Sequence, residues 1–208
     1  ALQEHQLVLL RGVHLDAEGL RRLGQLLGPL RPVPRGMQIV PGLPDVQCLG
    51  NLDAGGHPTG RNPDPDSLRW HSDGSATRIP ARYTLLYGHR IPRAGGETVF
   101  ADMYAACAAL APAERRELIG RCAVHDPQVA RWIRHGSPIA AADGGLRRML
   151  TRLRFLARLI ASPTRHPVIR VHEETGRQCL FLGDHAWRIT GLRWRDGVRR
   201  VNELNDFV

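Results

Sequence analysis

His71 and Asp73 stand two residues apart in RWHSDGSATRIP, Arg69 to Pro80. An imidazole nitrogen and a carboxylate are both electron-pair donors. In an extended strand alternate side chains share a face, so this spacing would aim both donors the same way. Such a pair could be two ligands of a metal ion, or simply a hydrogen-bonded structural pair. Other residues with usable chemistry lie nearby in the sequence. Thr98 follows Asp73 by 25 residues, in IPRAGGETVFADM. His166 and His172 sit in RHPVIRVHEETGRQCLFLG, and His185 and Trp187 come just after it.

Positioning such residues needs a scaffold. HQLVLLRG, RYTLLYGHRI and GGETVFA are rich in β-formers and predict strands, as do VQCLGN and CAVHD. HPVIRVHEETGRQCLFLG predicts a hairpin around Glu-Thr-Gly-Arg. Asp16 is a candidate N-cap for a helix through Leu27, with Leu20, Leu23 and Leu27 on one stripe and Gly28 as its stop. Asp102 can cap a short Ala-rich helix, and Pro112 can open the next, where a missing N–H costs little. Residues 31–66 are rich in Pro and Gly and predict irregular structure. The order is strands, a helical insert, then strands. It predicts a mainly β, jelly-roll type of fold with a helical excursion, and no GxGxxG or P-loop pattern argues for an alternating α/β fold.

The 208 residues suffice for one domain with a sizeable core. No apolar run is long enough to span a bilayer and none resembles a signal peptide, so a cytoplasmic protein without a membrane partner is expected. The four cysteines are widely spaced and form no CxxC, which favours reduced, packed thiols over a cysteine-rich zinc site. The net charge is +9 and all of its basic side chains besides histidine are arginine. Residues 131–165 hold eight Arg against Asp143 as the one acid, +7 of that excess. This could be a nucleic-acid footprint or a solvated helix face.

The blocks WHSDGS, IPRAGGETVFADM and RHPVIRVHEETGRQCLFLG, in that order and spacing, resemble the taurine dioxygenase-like family of Fe(II)- and 2-oxoglutarate-dependent dioxygenases. LVLLRGVHLDAEGLRRLGQLLGPL looks like that family's first strand and helix. The resemblance covers nearly the whole chain. It implies a double-stranded β-helix core formed by residues 1–208 as a single domain, incomplete at both ends, with an Arg-rich helical insert at about 127–165. It implies that His71 and Asp73 are two arms of a 2-His-1-carboxylate facial triad on Fe(II), which leaves positions for 2-oxoglutarate and O2. Thr98 would hydrogen-bond a carboxylate of 2-oxoglutarate. An aspartate at position 73, where related halogenases carry a small residue, implies hydroxylation or another oxidation.

Asn51, Ser67 and Trp70 lie on segments that face the substrate in the family. His166 and His172 belong to a structural strand there, and His185 and Trp187 could line the pocket or serve packing. The family's second histidine ligand and its 2-oxoglutarate-pairing Arg follow a helix that corresponds to RRVNELNDFV. Both are therefore expected beyond Val208, with closing strands of the barrel. The implied function is oxidation of a small-molecule C–H bond, with release of succinate and CO2. The substrate is anionic or carrier-tethered if the Arg-rich insert faces it, and a homo-oligomer is compatible with this reading. The competing reading is a non-catalytic anion- or nucleic-acid-binding protein on the same scaffold.

Overall fold

The computed structural model describes residues 1–53, 55–59, 69–136, 144–160 and 164–208. They fall into two compact units, one of Ala1–Leu68 with Arg82–Val99 and one of Arg69–Ala81 with Phe100–Val208.

In the first unit, α1 (Leu2–His5) is a single turn and α2 (Ala17–Leu27) is the predicted amphipathic helix. The Asp16 carboxylate accepts the Gly19 N–H at 2.6 Å, satisfying one of the donors that a helix start leaves open. Strands β1 (Ile39–Val40) and β2 (Leu43–Gln47) form an antiparallel hairpin. Gly42 turns it with φ +80°, a left-handed conformation natural to glycine. The Arg21 Nε–H donates to both carboxylate oxygens of Asp45, at 3.0 and 2.9 Å, and ties α2 to β2. The strand predicted in VQCLGN thus begins three residues earlier, because pairing across the Gly42 turn sets its start.

HQLVLLRG, RYTLLYGHRI and GGETVFA form no strands, contrary to expectation. Leu9, Leu86 and Val99 are each more than 60% exposed. β-propensity supplies side chains that suit a pleated surface, but a strand exists only when a neighbour takes up its hydrogen bonds.

The second unit holds the larger core. Its central sheet has the order β4 (Thr164–Pro167), β3 (Cys122–His125), β7 (Ala186–Ile189), all antiparallel. The predicted hairpin is β5 (Ile169–Val171) and β6 (Gln178–Leu180), with Val171 opposite Gln178. Helices α3 (Met103–Ala109), α4 (Pro112–Leu118), α5 (Pro127–His135), α6 (Gly145–Ile160) and α7 (Trp194–Phe207) complete it. Asp102 and Asp126 cap α3 and α5 through backbone N–H groups of their first turns. Leu118, Val168, Leu180, Leu182, Ile189, Val201 and Leu204 fill one core cluster. Gly197 lets α7 lie directly on β7: a Cβ there would sit 2.5 Å from the Ile189 carbonyl oxygen.

Among the described residues the strands make three small sheets and no closed barrel. The described residues thus mix helices with small antiparallel sheets. No described helix is long and apolar enough to cross a membrane. All four cysteines are free, and Cys48 is exposed where packing was expected.

His125 on β3 is 1% exposed. Its ring lies against His166 and Phe181, and among the described residues neither ring nitrogen has a hydrogen-bond partner. Burial, then the neighbouring His166 and His185, push its pKa from 6.5 down to about 3. The unfolded chain therefore binds a proton that the fold refuses. Stability falls as pH drops from about 6.5 toward about 3, by up to about 5 kcal/mol from this group. His125→Leu should flatten that acid limb in urea titrations and raise stability at neutral pH by roughly 1–2 kcal/mol, since two orphaned polar atoms leave the core. An unchanged acid limb would show that other groups control it.

Candidate metal site

Segment 69–77 is irregular backbone ending in a turn, not the strand that the i, i+2 spacing suggested. It is held in place by neighbours in its own unit. The Asp184 N–H donates to the Trp70 carbonyl at 2.7 Å. The Thr164 hydroxyl donates to Ala76 O at 2.8 Å, and His166 Nε2–H donates to Thr77 O at 3.0 Å. Ser75, almost fully buried, hydrogen-bonds His185 Nδ1 at 2.9 Å.

The closest approach is at Gly183. Its φ is +121°, and a Cβ there would lie 2.9 Å from the Cα of His71 and 3.1 Å from the Trp70 carbonyl oxygen. Asn205 on α7 grips the same glycine at both ends, accepting from its N–H at 3.1 Å and donating to its carbonyl at 3.4 Å. Arg134 on α5 holds the next residue. Its guanidinium donates to the Asp184 carbonyl and pairs with the Asp184 carboxylate, each at 2.6 Å. Both side chains are largely buried, so this pair is well shielded from water.

On this support the two donors come together. His71 Nε2 lies 3.6 Å from Asp73 Oδ1. His71 Nδ1 is 2.8 Å from the Arg69 carbonyl. A carbonyl oxygen only accepts, so Nδ1 carries the hydrogen, and in the neutral ring the Nε2 lone pair faces the carboxylate. Two lone pairs facing one another repel unless a cation lies between them. Two donors about 2.1 Å from one ion and at right angles are about 3 Å apart, so a small side-chain adjustment would let both bind. The donor types, their orientation and the fixed imidazole tautomer fit Fe(II). Among the described residues no group of three His, Cys, Asp or Glu converges on one point.

His185 is the histidine nearest this pair in the ring geometry, its centroid 6.0 Å from that of His71. Burial lowers its pKa, so it favours the uncharged ring. Trp187, by contrast, is buried against Trp194 and belongs to the core. His166 is a structural residue of β4, as expected, and His172 on the hairpin turn hydrogen-bonds the Thr175 hydroxyl at 3.1 Å. Trp70 is 40% exposed beside His71. Asn51 is exposed in the first unit, where its carbonyl accepts from Thr59. Thr98 is also exposed in the first unit, and Ser67 lies outside the described residues. Arg134, Gly183, Asp184 and Asn205 escaped the sequence reading. Gly183 carried a signal, a glycine just after a hairpin, but its role as a close-approach point is visible only in three dimensions.

Comparison with known proteins gives the class. A Burkholderia xenovorans protein assigned as an alpha-ketoglutarate dependent 2,4-D dioxygenase superposes with a TM-score of 0.60 over 93% of this chain and 61% of its own, at 26% identity. The enzyme AAD-2, solved with Mn(II) and N-oxalylglycine, matches 68% of this chain and 50% of its own, at 26% identity and a TM-score of 0.52. The scaffold is thus that of the 2-oxoglutarate-dependent dioxygenases. The chain belongs to the taurine catabolism dioxygenase TauD, TfdA family, whose model matches residues 1–208. It is 33% identical over 135 residues to the alpha-ketoglutarate-dependent 2,4-dichlorophenoxyacetate dioxygenase of Cupriavidus pinatubonensis, a match that takes in 65% of this chain and 42% of that enzyme. The matched segment covers less than half of that relative's length.

Gly183→Ala should disturb the donor pair without touching either donor. The added methyl meets backbone, which has no flexible end to move aside, and the positive φ disfavours any side chain. Mn(II) affinity, read by electron paramagnetic resonance, should fall roughly tenfold or more, as for other supports of metal ligands. Unchanged Mn(II) affinity would show that this contact does not position the site.

Proposed function

We propose that this protein is an Fe(II)- and 2-oxoglutarate-dependent dioxygenase that hydroxylates a C–H bond of a small molecule. One O2 is consumed: one oxygen atom enters the product and the other enters succinate, with CO2 released from 2-oxoglutarate. The observation that carries the reading is the His71 Nε2 and Asp73 Oδ1 pair, 3.6 Å apart, in a chain of the TauD, TfdA family. The jelly-roll core of that family is the scaffold proposed for residues 1–208, as one domain.

His71 and Asp73 hold the iron, which when bound supplies the O2 activation and redox chemistry that no side chain offers. The chain's own groups do the rest. The Arg69 carbonyl keeps His71 in the ligand tautomer. Gly183, Asp184 and Asn205 fix the backbone beneath it. Thr98 donates its hydroxyl to a carboxylate of 2-oxoglutarate. Trp70, Asn51 and Ser67 contribute to the substrate side. An anionic small molecule is the substrate class favoured, because 2,4-dichlorophenoxyacetate, the named substrate of the Cupriavidus relative, carries a carboxylate.

Asp73→Ala should abolish succinate formation from 2-oxoglutarate and lower Fe(II) affinity, with far-ultraviolet circular dichroism unchanged because Asp73 is exposed. Succinate formation at the parent rate would overturn the assignment. Thr98→Ala should raise the KM for 2-oxoglutarate about tenfold, the loss of one hydrogen bond to a charged group, while Fe(II) affinity stays constant. A 2-oxoglutarate KM equal to that of the parent would remove Thr98 from the site.

A further inference from the structure

Helix α6, Gly145–Ile160, has an unusual division of faces. Its inner row is Thr151, Phe155 and Leu159, the partly covered residues at four-residue spacing. Phe155 lies against Trp132 of α5 with ring centroids 5.2 Å apart, and Leu159 packs on the cluster that includes Trp187. Arg158 pins the helix further, its Nε–H donating to both oxygens of Asp126 at 3.1 and 2.9 Å. At 100° per residue, the opposite face carries Leu146, Met149, Leu150, Leu153, Leu156 and Ile160 in one arc about 120° wide. All six are between 42% and 81% exposed. Apolar side chains thus point away from the fold along the whole helix.

Charge brackets that arc. Arg152 projects along one side of it and Arg147 and Arg154 along the other, all exposed. Among the described residues these three make no ion pair, whereas Arg158 pairs with Asp126. The helix contains five Arg and no acid. A second copy of the chain would set this cationic face against itself, so like charges disfavour that occupant. The outward arc needs a partner that is apolar in the middle and anionic at both edges.

We propose that α6 is an in-plane anchor that docks this protein on an anionic phospholipid surface. Its length is about 24 Å, shorter than the ~30 Å hydrocarbon core, so it lies in the interface and does not span it. The six aliphatic side chains enter the acyl boundary, and the arginines on either side reach phosphate groups. The absence of a spanning run, from which no membrane partner was expected, has no bearing on a helix of this kind. Each arginine close to an anionic surface strengthens binding roughly fivefold, which makes the association selective for lipid charge and sensitive to salt.

The test is vesicle cosedimentation of the full chain. Vesicles of phosphatidylcholine alone are compared with vesicles of equal parts phosphatidylcholine and phosphatidylglycerol. Binding to the anionic vesicles should be on the order of a hundredfold tighter at low salt and weaken as salt is added. Leu153→Glu should weaken it about tenfold or more, and the double variant Arg147→Gln, Arg154→Gln should reduce the preference for anionic lipid. These residues are exposed and lie outside the proposed metal site, so circular dichroism and Mn(II) affinity should not change. Failure to bind either vesicle, or equal binding to both, would overturn the proposal. So would a dimer in sedimentation velocity that Leu153→Glu converts to monomer, because a second copy would then cover the arc.

Discussion

The candidate site depends on the contact between the backbone at Gly183 and the backbone at His71. No side chain fits between them: a single added carbon would lie 2.9 Å from the His71 Cα. This contact brings a loop from one end of the core beneath the ligand segment. Neighbouring bonds reinforce it, from Asp184 to Trp70 and from Asn205 to Gly183 itself. The Arg134–Asp184 pair then ties the same loop to α5. A metal-ligand pair on irregular backbone could not otherwise hold a reproducible geometry, since an isolated turn samples many conformations.

Electrostatics follow from this frame. The Arg69 carbonyl fixes the hydrogen on His71 Nδ1 and so aims the Nε2 lone pair at the Asp73 carboxylate. A cation between two such donors would be favourable, and its binding would stabilise the fold that presents them. His185 behaves differently because its burial lowers its pKa and favours the uncharged ring, while Ser75 holds its Nδ1. Further inside, His125 is more completely buried and, among the described residues, has no hydrogen bond. Three histidines of one unit thus have three chemical roles, set by what surrounds each ring and not by residue type.

The basic character of the chain is also organised by tertiary structure. Arg134 is consumed in the buried pair with Asp184, and Arg158 in the pair with Asp126 that seats α6. Arg200 on α7 pairs with Glu114 at 2.7 Å. The arginines left facing water on α6 are those bordering its apolar arc. A charge count treats all of these alike, although some are paired with carboxylates and others face water.

Local sequence was enough to specify several parts. Asp16 and Asp102 cap helices because a short carboxylate before a helical run meets the open N–H groups of its first turn. The hairpin around Glu-Thr-Gly-Arg formed because both arms and the turn glycine are contiguous. His71 and Asp73 were legible as a candidate pair, though not through the strand that their spacing suggested, and the family from three blocks read together. What could not be read locally were features that need distant partners. HQLVLLRG, RYTLLYGHRI and GGETVFA have strand composition but no ladder, because hydrogen bonds between strands join residues far apart in the chain. The support of the site by Gly183, Asn205 and Arg134 comes from three elements that only packing brings together. Sequence determined which groups can donate, cap or turn; the tertiary structure decided which of them meet.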